Sequence, residues 1–256
     1  MTRPRPVRSH LPQDGPIVVL LPHQDDEFAL LPLLEAERGQ GRQVVCAFLT
    51  DGRDKGRDKE SREVLGRLGI PEADLHFPGS SHHFVDGHLV EYLERALDAI
   101  RAILTGLSEP PLLLVPAWEG GHADHDATHL IGLALAHEQK LEHRAWQFPI
   151  YHGKGLPGPL FRVMAPLAEN GPILDLPCRL HLRHLALCLR YRSQWAVLLG
   201  LTPQLLWRVV SRTPIRLQPL TRRAWTTRPH VGRLLHERTR RAVTSGRWKT
   251  DQTAQP

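Results

Sequence analysis

The sequence predicts an α/β fold, a mostly parallel sheet covered by helices on both faces, and three observations carry that prediction. Short apolar runs recur at residues 17–21, 43–49, 74–77, 112–115 and 145–151. Between them lie segments of a dozen or so residues whose apolar positions repeat at helical spacing. Dense clusters of histidine and carboxylate follow the first and fourth runs, where a parallel strand delivers its C-terminal end.

Residues 17–21 are a β-branched and leucine run bounded by Gly15-Pro16 and Pro22, which suits a strand buried on both faces. A helix over residues 28–38 follows. Residues 43–49 make a second strand that stops at Thr50-Asp51-Gly52-Arg53, a turn-forming tetrapeptide. Over residues 56–68, Val64, Leu65 and Leu68 share one face of a helix that Gly69 and Pro71 end. A short third strand over 74–77 is closed by Pro78-Gly79-Ser80-Ser81, and a polar loop with His82, His83 and Asp86-Gly87 comes next. From 89 to 104, Leu93, Ala96, Leu97, Ile100 and Leu104 recur at helical spacing. Residues 112–115 are a fourth strand between prolines, 124–137 a helix and 145–151 a fifth strand. The alternation implies βαβ units in a Rossmann-like three-layer fold, in which ligands gather at the C-terminal ends of the strands.

Beyond Gly153 no strand pattern stands out, and prolines, arginines and leucine-rich helical segments take over. The expected organisation is a catalytic core over residues 1–152 and a basic, mainly helical C-terminal extension over 153–256 that completes or flanks the same domain. With 256 residues, 41% of them apolar and 23% charged, the chain can bury a substantial core and does not have the composition of a disordered protein. No apolar run reaches the length of a membrane span. None of signal-peptide length follows the basic residues 2–10, so a cytoplasmic protein is expected. Cys46, Cys178 and Cys188 lack the paired spacing of a disulfide framework or a thiolate zinc site.

His23, Asp25, Asp26 and Glu27 follow the first strand at once. Three consecutive carboxylates repel one another unless a cation or solvent offsets them. A divalent metal does so, although acids here also suit the dipole of the following helix. The second cluster tips the balance: Trp118-Glu119-Gly120-Gly121-His122-Ala123-Asp124-His125-Asp126-Ala127-Thr128-His129. A catalytic zinc takes about three protein ligands and keeps a position open for water, with a base nearby. His23 and Asp26 lie on one side of a turn and supply two ligands. His125 and His129, one helical turn apart, are equally placed to supply the third. Asp25 then lies beside the metal rather than on it, which is a general base's place, and a further imidazole can stabilise an oxyanion.

These residues resemble the PIG-L/LmbE family of zinc-dependent N-deacetylases. The family's Pro-His-Pro-Asp-Asp-Glu stands here as Pro22-His23-Gln24-Asp25-Asp26-Glu27, and its His-Pro-Asp-His as His122-Ala123-Asp124-His125. The similarity runs through Thr50-Asp51-Gly52, Ser61-Arg62-Glu63 and Leu68-Gly69 to a weak match at Tyr191-Arg192-Ser193-Gln194, about three quarters of the chain. The resemblance implies His23, Asp26 and His125 as zinc ligands, Asp25 as general base and His122 as the oxyanion-stabilising or acid group. It implies that Asp124 orients an imidazole and that His129 passes to substrate or supporting duty. The implied reaction removes the acetyl group from an N-acetylglucosamine-type sugar or its conjugate, nucleotide-linked or lipid-linked. Gln24 and Ala123 stand where the family has prolines, which loosens both turns without removing a reacting group.

Weaker signals complete the expected site. Arg53, near Lys55, Arg57 and Lys59, is either a phosphate contact or part of a solvated loop. His82 and Phe84 lie in a loop that can line the pocket. Trp118, Tyr151 and His152 follow strands, where aromatic faces suit a sugar ring. The basic stretch with Arg208, Arg212, Arg216, Arg222, Arg223, Arg228, Arg233, Arg238, Arg240, Arg241, Arg247 and Lys249 reads first as plain solvated helices, next as a surface for peripheral contact with an anionic membrane at its inner face or with a lipid-linked substrate, and last as a nucleic-acid patch. Two other readings follow from the same residues: a non-haem iron oxygenase using two histidines and one carboxylate, and a non-catalytic binder of anionic surfaces. Glu27 reads as a structural carboxylate that holds the turn through hydrogen bonds to the backbone or to neighbouring side chains.

Overall fold

The computed structural model describes residues 11–53, 55–221 and 227–238. The expectations for residues 2–10 and for Arg222, Arg223, Arg240, Arg241, Arg247 and Lys249 fall outside the described residues. Strand β1 (Ile17–Leu21) is buried along its whole length. Ile17, Val19 and Leu21 enter one core and Val18 and Leu20 the other, the period-two partition of a strand with helices on both faces. Helix α1 (Leu31–Gly39) and strand β2 (Val44–Phe48) follow, then α2 (Lys55–Arg67), β3 (Leu75–His76), α3 (Pro78–His82) and α4 (Leu93–Thr105). Strand β4 (Leu112–Pro116), helix α5 (Ala123–Glu138) and strand β5 (Ala145–Phe148) complete the expected alternation.

The sheet runs β3-β2-β1-β4-β5 with all neighbours parallel. Ile17 pairs with Val44 on one side and Leu112 on the other, so the strand order reverses at β1. That reversal opens a crevice beyond the ends of β1 and β4, the place where such sheets bind ligands. Apolar residues of α1 and α2 pack on one face of the sheet, and those of α4 and α5 on the other.

Two features depart from the sequence expectation. The fifth strand stops at Phe148, because Pro149 interrupts it, and Tyr151–His152 forms a separate hairpin, β6, with β7 (Arg162–Val163). The C-terminal part carries helices α6 (Leu182–Cys188), α7 (Trp195–Ser211) and α8 (Leu235–Arg238), but also strands β8 (Leu174–Arg179) and β9 (Pro214–Pro219). Both strands are antiparallel and extend the sheet to seven strands beyond β5. Neither shows a continuous apolar run: β8 is the outermost strand and fully buries only Leu176, and prolines bound β9.

Gly79 shows how tightly the loops over the crevice are fitted. A Cβ there would stand 2.3 Å from the carbonyl of Thr50, which accepts a hydrogen bond from the Gln24 side chain at 3.0 Å. Gly79→Ala is expected to destabilise the protein by about 1–3 kcal/mol, as overpacking of rigid backbone does. A denaturant titration checks this, and an unchanged midpoint would refute the fit.

Candidate functional site

The chain leaves β1 at Leu21 and turns at once into a 3-10 turn, Asp26–Ala29, so His23, Asp25 and Asp26 are presented at the mouth of the crevice. Asp25 has φ 125°, a conformation that a residue with a Cβ adopts only where its surroundings impose it. Two contacts do so here. Its backbone N–H donates to Glu27 Oε2 at 2.8 Å, and its carboxylate accepts from Arg57 Nη2 at 3.1 Å. Burial and the neighbouring Asp26 charge push the Asp25 carboxyl up to about 8, against the pull of Arg57 and His23.

Asp26 faces different partners. One oxygen, Oδ2, accepts the His23 backbone N–H at 3.1 Å and lies 3.0 Å from His23 Nδ1 and 3.3 Å from His125 Nε2. Burial pushes this carboxyl up, but the two imidazoles hold it below the usual carboxylate range. On its other side His23 Nε2 lies 3.0 Å from Asp124 Oδ2 and 3.4 Å from Asp86 Oδ1. Burial lowers the His23 pKa, yet these carboxylates raise it well above the ordinary histidine value. Asp124 also accepts N–H groups of Gly87 at 2.6 Å and Leu89 at 3.0 Å, which fixes the loop after α3 against the site.

His122 caps α5, its side chain accepting the Asp124 N–H at 3.2 Å. Because Nδ1 is the acceptor, the neutral ring carries its proton on Nε2 and is a donor there. Burial and the charge of His23 lower its pKa to about 3. The rings of His23, His122 and His125 lie within 5.4 Å of one another, centroid to centroid.

A divalent metal fits this donor set. Two imidazoles and a carboxylate converge, His23 is gripped on its outer nitrogen by a carboxylate, and His125 offers buried ring nitrogens without a hydrogen bond. His23, His122 and His125 can each place a ring nitrogen within 4.8 Å of the others, and His23, Asp86 and Asp124 likewise converge. The geometry also separates His125 from His129. His129 is buried against β4, its Nδ1 3.0 Å from the Pro116 carbonyl, and burial lowers its pKa to about 4.

The remaining expected site residues divide. The Tyr151 ring lies 5.0 Å from that of His125, its N–H held by Glu119 Oε1 at 2.7 Å. Trp118 is buried beside His129 and donates from Nε1 to the Thr227 carbonyl, and His152 Nε2 engages the Ala165 carbonyl at 2.9 Å. Phe84 corrects the expectation: it is fully buried, stacks on Tyr92 and belongs to the α4 and α5 core, so it lines no pocket. His82 is exposed and stacks on Phe84 from outside. Arg53 is exposed and donates to the Asp86 carbonyl at 2.8 Å.

Two residues, Arg57 and Asp86, acquire roles that sequence reasoning missed, and Glu27 makes the turn-holding backbone contact expected of it. Arg57 is buried and bridges Asp25 to Asp86, at 3.1 Å and 3.3 Å. Its spacing from Ser61, Val64, Leu65 and Leu68 continues the buried stripe of α2, a signal available in the sequence. Asp86 reaches His23 from a loop with no sequence cue of that contact. Glu27 holds the Asp25 N–H and is flanked by the hydroxyls of Ser61 and Tyr191; burial raises its pKa while these neighbours lower it. Glu27→Gln is expected to lower kcat by about tenfold to a hundredfold with metal content unchanged, as loss of a supporting hydrogen bond does. Steady-state kinetics beside metal analysis tests this, and an unchanged kcat would count against the role.

Residues 18–136 match the family model of the GlcNAc-PI de-N-acetylases, PIG-L. No curated protein matches the chain. Among solved structures, a deacetylase triple mutant of the teicoplanin biosynthetic pathway superposes with a TM-score of 0.61 at 21% identity, covering 80% of this chain and 97% of that one. The A40926 pseudoaglycone deacetylase gives 0.59 at 15% identity, over 81% and 98%. N,N'-diacetylchitobiose deacetylase from Pyrococcus horikoshii gives 0.55 at 16% identity, over 85% and 88%. At these identities the likeness is one of fold. The matched segment carries nearly all of β1 and α5 and the whole cluster of imidazoles and carboxylates between them, so the similarity to the PIG-L family falls on the part of the chain that builds the site.

Proposed function

We propose that this protein is a zinc-dependent N-deacetylase that releases acetate from an N-acetylglucosamine-type sugar or its conjugate. The observation that carries the reading is the split engagement of two adjacent carboxylates: Asp26 faces His23 and His125, whereas Asp25 is turned to Arg57. That split suits Asp26 to ligation and Asp25 to proton transfer. Held by His23, Asp26 and His125, a divalent ion would polarise the acetyl carbonyl and acidify a water.

Asp25 takes the proton of the attacking water, and burial beside the Asp26 charge raises its pKa, which strengthens it as a base. Arg57 and Glu27 hold it in place without rotation of the backbone. His122 donates from Nε2 to the oxygen that gains charge as the carbonyl becomes tetrahedral. When the carbon–nitrogen bond breaks, Asp25 returns the proton to the amine, so that one water and one amide become acetate and a free amine. Tyr151 offers an aromatic wall beside His125, suited to a sugar ring.

The PIG-L match and the deacetylase neighbours support this reading, and two of them, the GlcNAc-PI de-N-acetylase family and N,N'-diacetylchitobiose deacetylase, are named for N-acetylated sugar substrates. The test is acetate release by the metal-loaded protein across N-acetylglucosaminyl compounds, free, nucleotide-linked and lipid-linked. One relative of this fold is described as a zinc-inhibited form of teicoplanin deacetylase, so the assay spans zinc concentrations and other divalent ions. Acetate release from at least one compound, abolished by chelation, is expected. Silence across the panel at every metal concentration would overturn the reading.

A further inference from the structure

We propose that α6 and α7 form a docking face for an anionic phospholipid bilayer. Helix α7 turns Leu198, Leu201, Leu205 and Arg208 inward. Its opposite face carries Trp195, Leu199, Pro203, Leu206, Trp207 and Val210 and no charged residue, although a helix apolar all round is ordinarily covered all round. Trp195 and Trp207 are 69% and 68% exposed, Leu199 66% and Val210 73%. Leu182 and Leu189, at the two ends of α6, are exposed as well, and α6 packs on α7. A shallow cavity joins the start of α6 to the end of α7. Contiguous apolar surface of this kind marks an interaction site.

The charge around the patch identifies the occupant. Arg179, Arg183 and Arg212 line the connecting cavity, and Arg192 precedes α7. Arg183 pairs with Glu35, whereas Arg179, Arg192 and Arg212 make no ion pair among the described residues. Between Asp175 and Glu237 the sequence contains no acidic residue. Glu60 and Glu63 reach the junction of the two helices, bound to Ser193 and Arg190, while Arg179, Arg183, Arg192 and Arg212 border the exposed tryptophans and leucines, a net positive rim that suits immersion at a bilayer interface with anionic headgroups. A second copy related by a two-fold axis would set arginine rim against arginine rim. Residues 1–10 and 239–256 carry seven arginines and lysines against one acid, Asp251, so they complement the rim poorly. No helix among the described residues is long and apolar enough to cross a membrane, so the contact is peripheral.

The face is joined to the site. Gln204 of α7 accepts the Val163 N–H at 2.9 Å and donates to the Phe161 carbonyl at 2.8 Å. The Phe161 ring lies 5.7 Å from Tyr151, which is 5.0 Å from His125.

The full chain mixed with vesicles tests the proposal, with sedimentation and tryptophan emission as readouts. Vesicles of phosphatidylcholine alone are compared with vesicles containing about a third phosphatidylglycerol. Binding to the anionic vesicles is expected to be tighter by about tenfold or more, weakened by salt and accompanied by a blue shift. The combined Trp195→Ser, Leu199→Ser and Trp207→Ser variant is expected to lose about tenfold or more in binding. Arg179→Ala and Arg212→Ala are expected to lose about fivefold each. These side chains are exposed, so an unchanged thermal melt shows that the fold is intact. Equal binding to both vesicles, or anionic binding that survives the triple variant, would overturn the proposal. So would a solution dimer that the triple variant dissolves.

Discussion

Asp25→Asn is expected to lower kcat by about a thousandfold while metal content and thermal stability stay near those of the parent, in keeping with the loss of a general base. The substitution is nearly isosteric. The amide oxygen still accepts from Arg57 at the 3.1 Å position, and the backbone N–H still reaches Glu27, so the φ of 125° remains supported on both sides. What disappears is the capacity to take a proton at a buried carboxyl whose pKa burial and Asp26 have raised to about 8. Asp26, His23 and His125 are untouched, so the donor set for the metal persists. Acetate release, metal analysis and circular dichroism on one preparation separate these effects. A kcat within about tenfold of the parent would remove Asp25 from the proton transfer.

The parts of this molecule legible in the sequence are those written in local pattern. β1, β2 and β4 are continuous apolar runs because they are buried on both faces, and the clusters after β1 and β4 can be read as strand ends for the same reason. β8 and β9 escaped because neither is a continuous apolar run: β8 is the edge strand and buries only Leu176 fully, and β9, between β5 and β8, starts and ends on proline and carries Arg216 and Gln218. Within the site, residues adjacent in sequence were identified together, whereas Asp86 reaches His23 only through the path of the loop that Asp124 pins. Arg57 was misread because its charge outweighed its position on the buried stripe of α2. Phe84 was misread in the opposite sense, since an aromatic in a polar loop looks like pocket lining until its ring is found against Tyr92. His125 and His129 share a helix face, and only the third dimension shows that one meets Asp26 and the other the Pro116 carbonyl.

Asp26→Ala is expected to abolish turnover and to weaken metal binding by about a hundredfold or more, with a separate loss of stability in the metal-free protein. A single oxygen of Asp26 serves the His23 N–H, His23 Nδ1 and His125 Nε2. Its removal strands the backbone N–H and the Nδ1 of His23, at a cost of about 1–3 kcal/mol each. Asp26→Asn distinguishes the two consequences. The amide keeps an acceptor at the same place and is expected to recover most of the stability, yet its neutral oxygen is a poor metal ligand and turnover stays lost. Calorimetric unfolding of the metal-free variants reads the first effect and competition with a chelating dye the second. If Asp26→Asn regained both stability and activity, Asp26 would be a hydrogen-bonding post for His23, and the metal would have to rest on His23, His122 and His125, whose nitrogens also converge. The division of labour between neighbours at positions 25 and 26 therefore stands or falls on the asparagine variants, which conserve shape at both positions and remove charge at one position at a time.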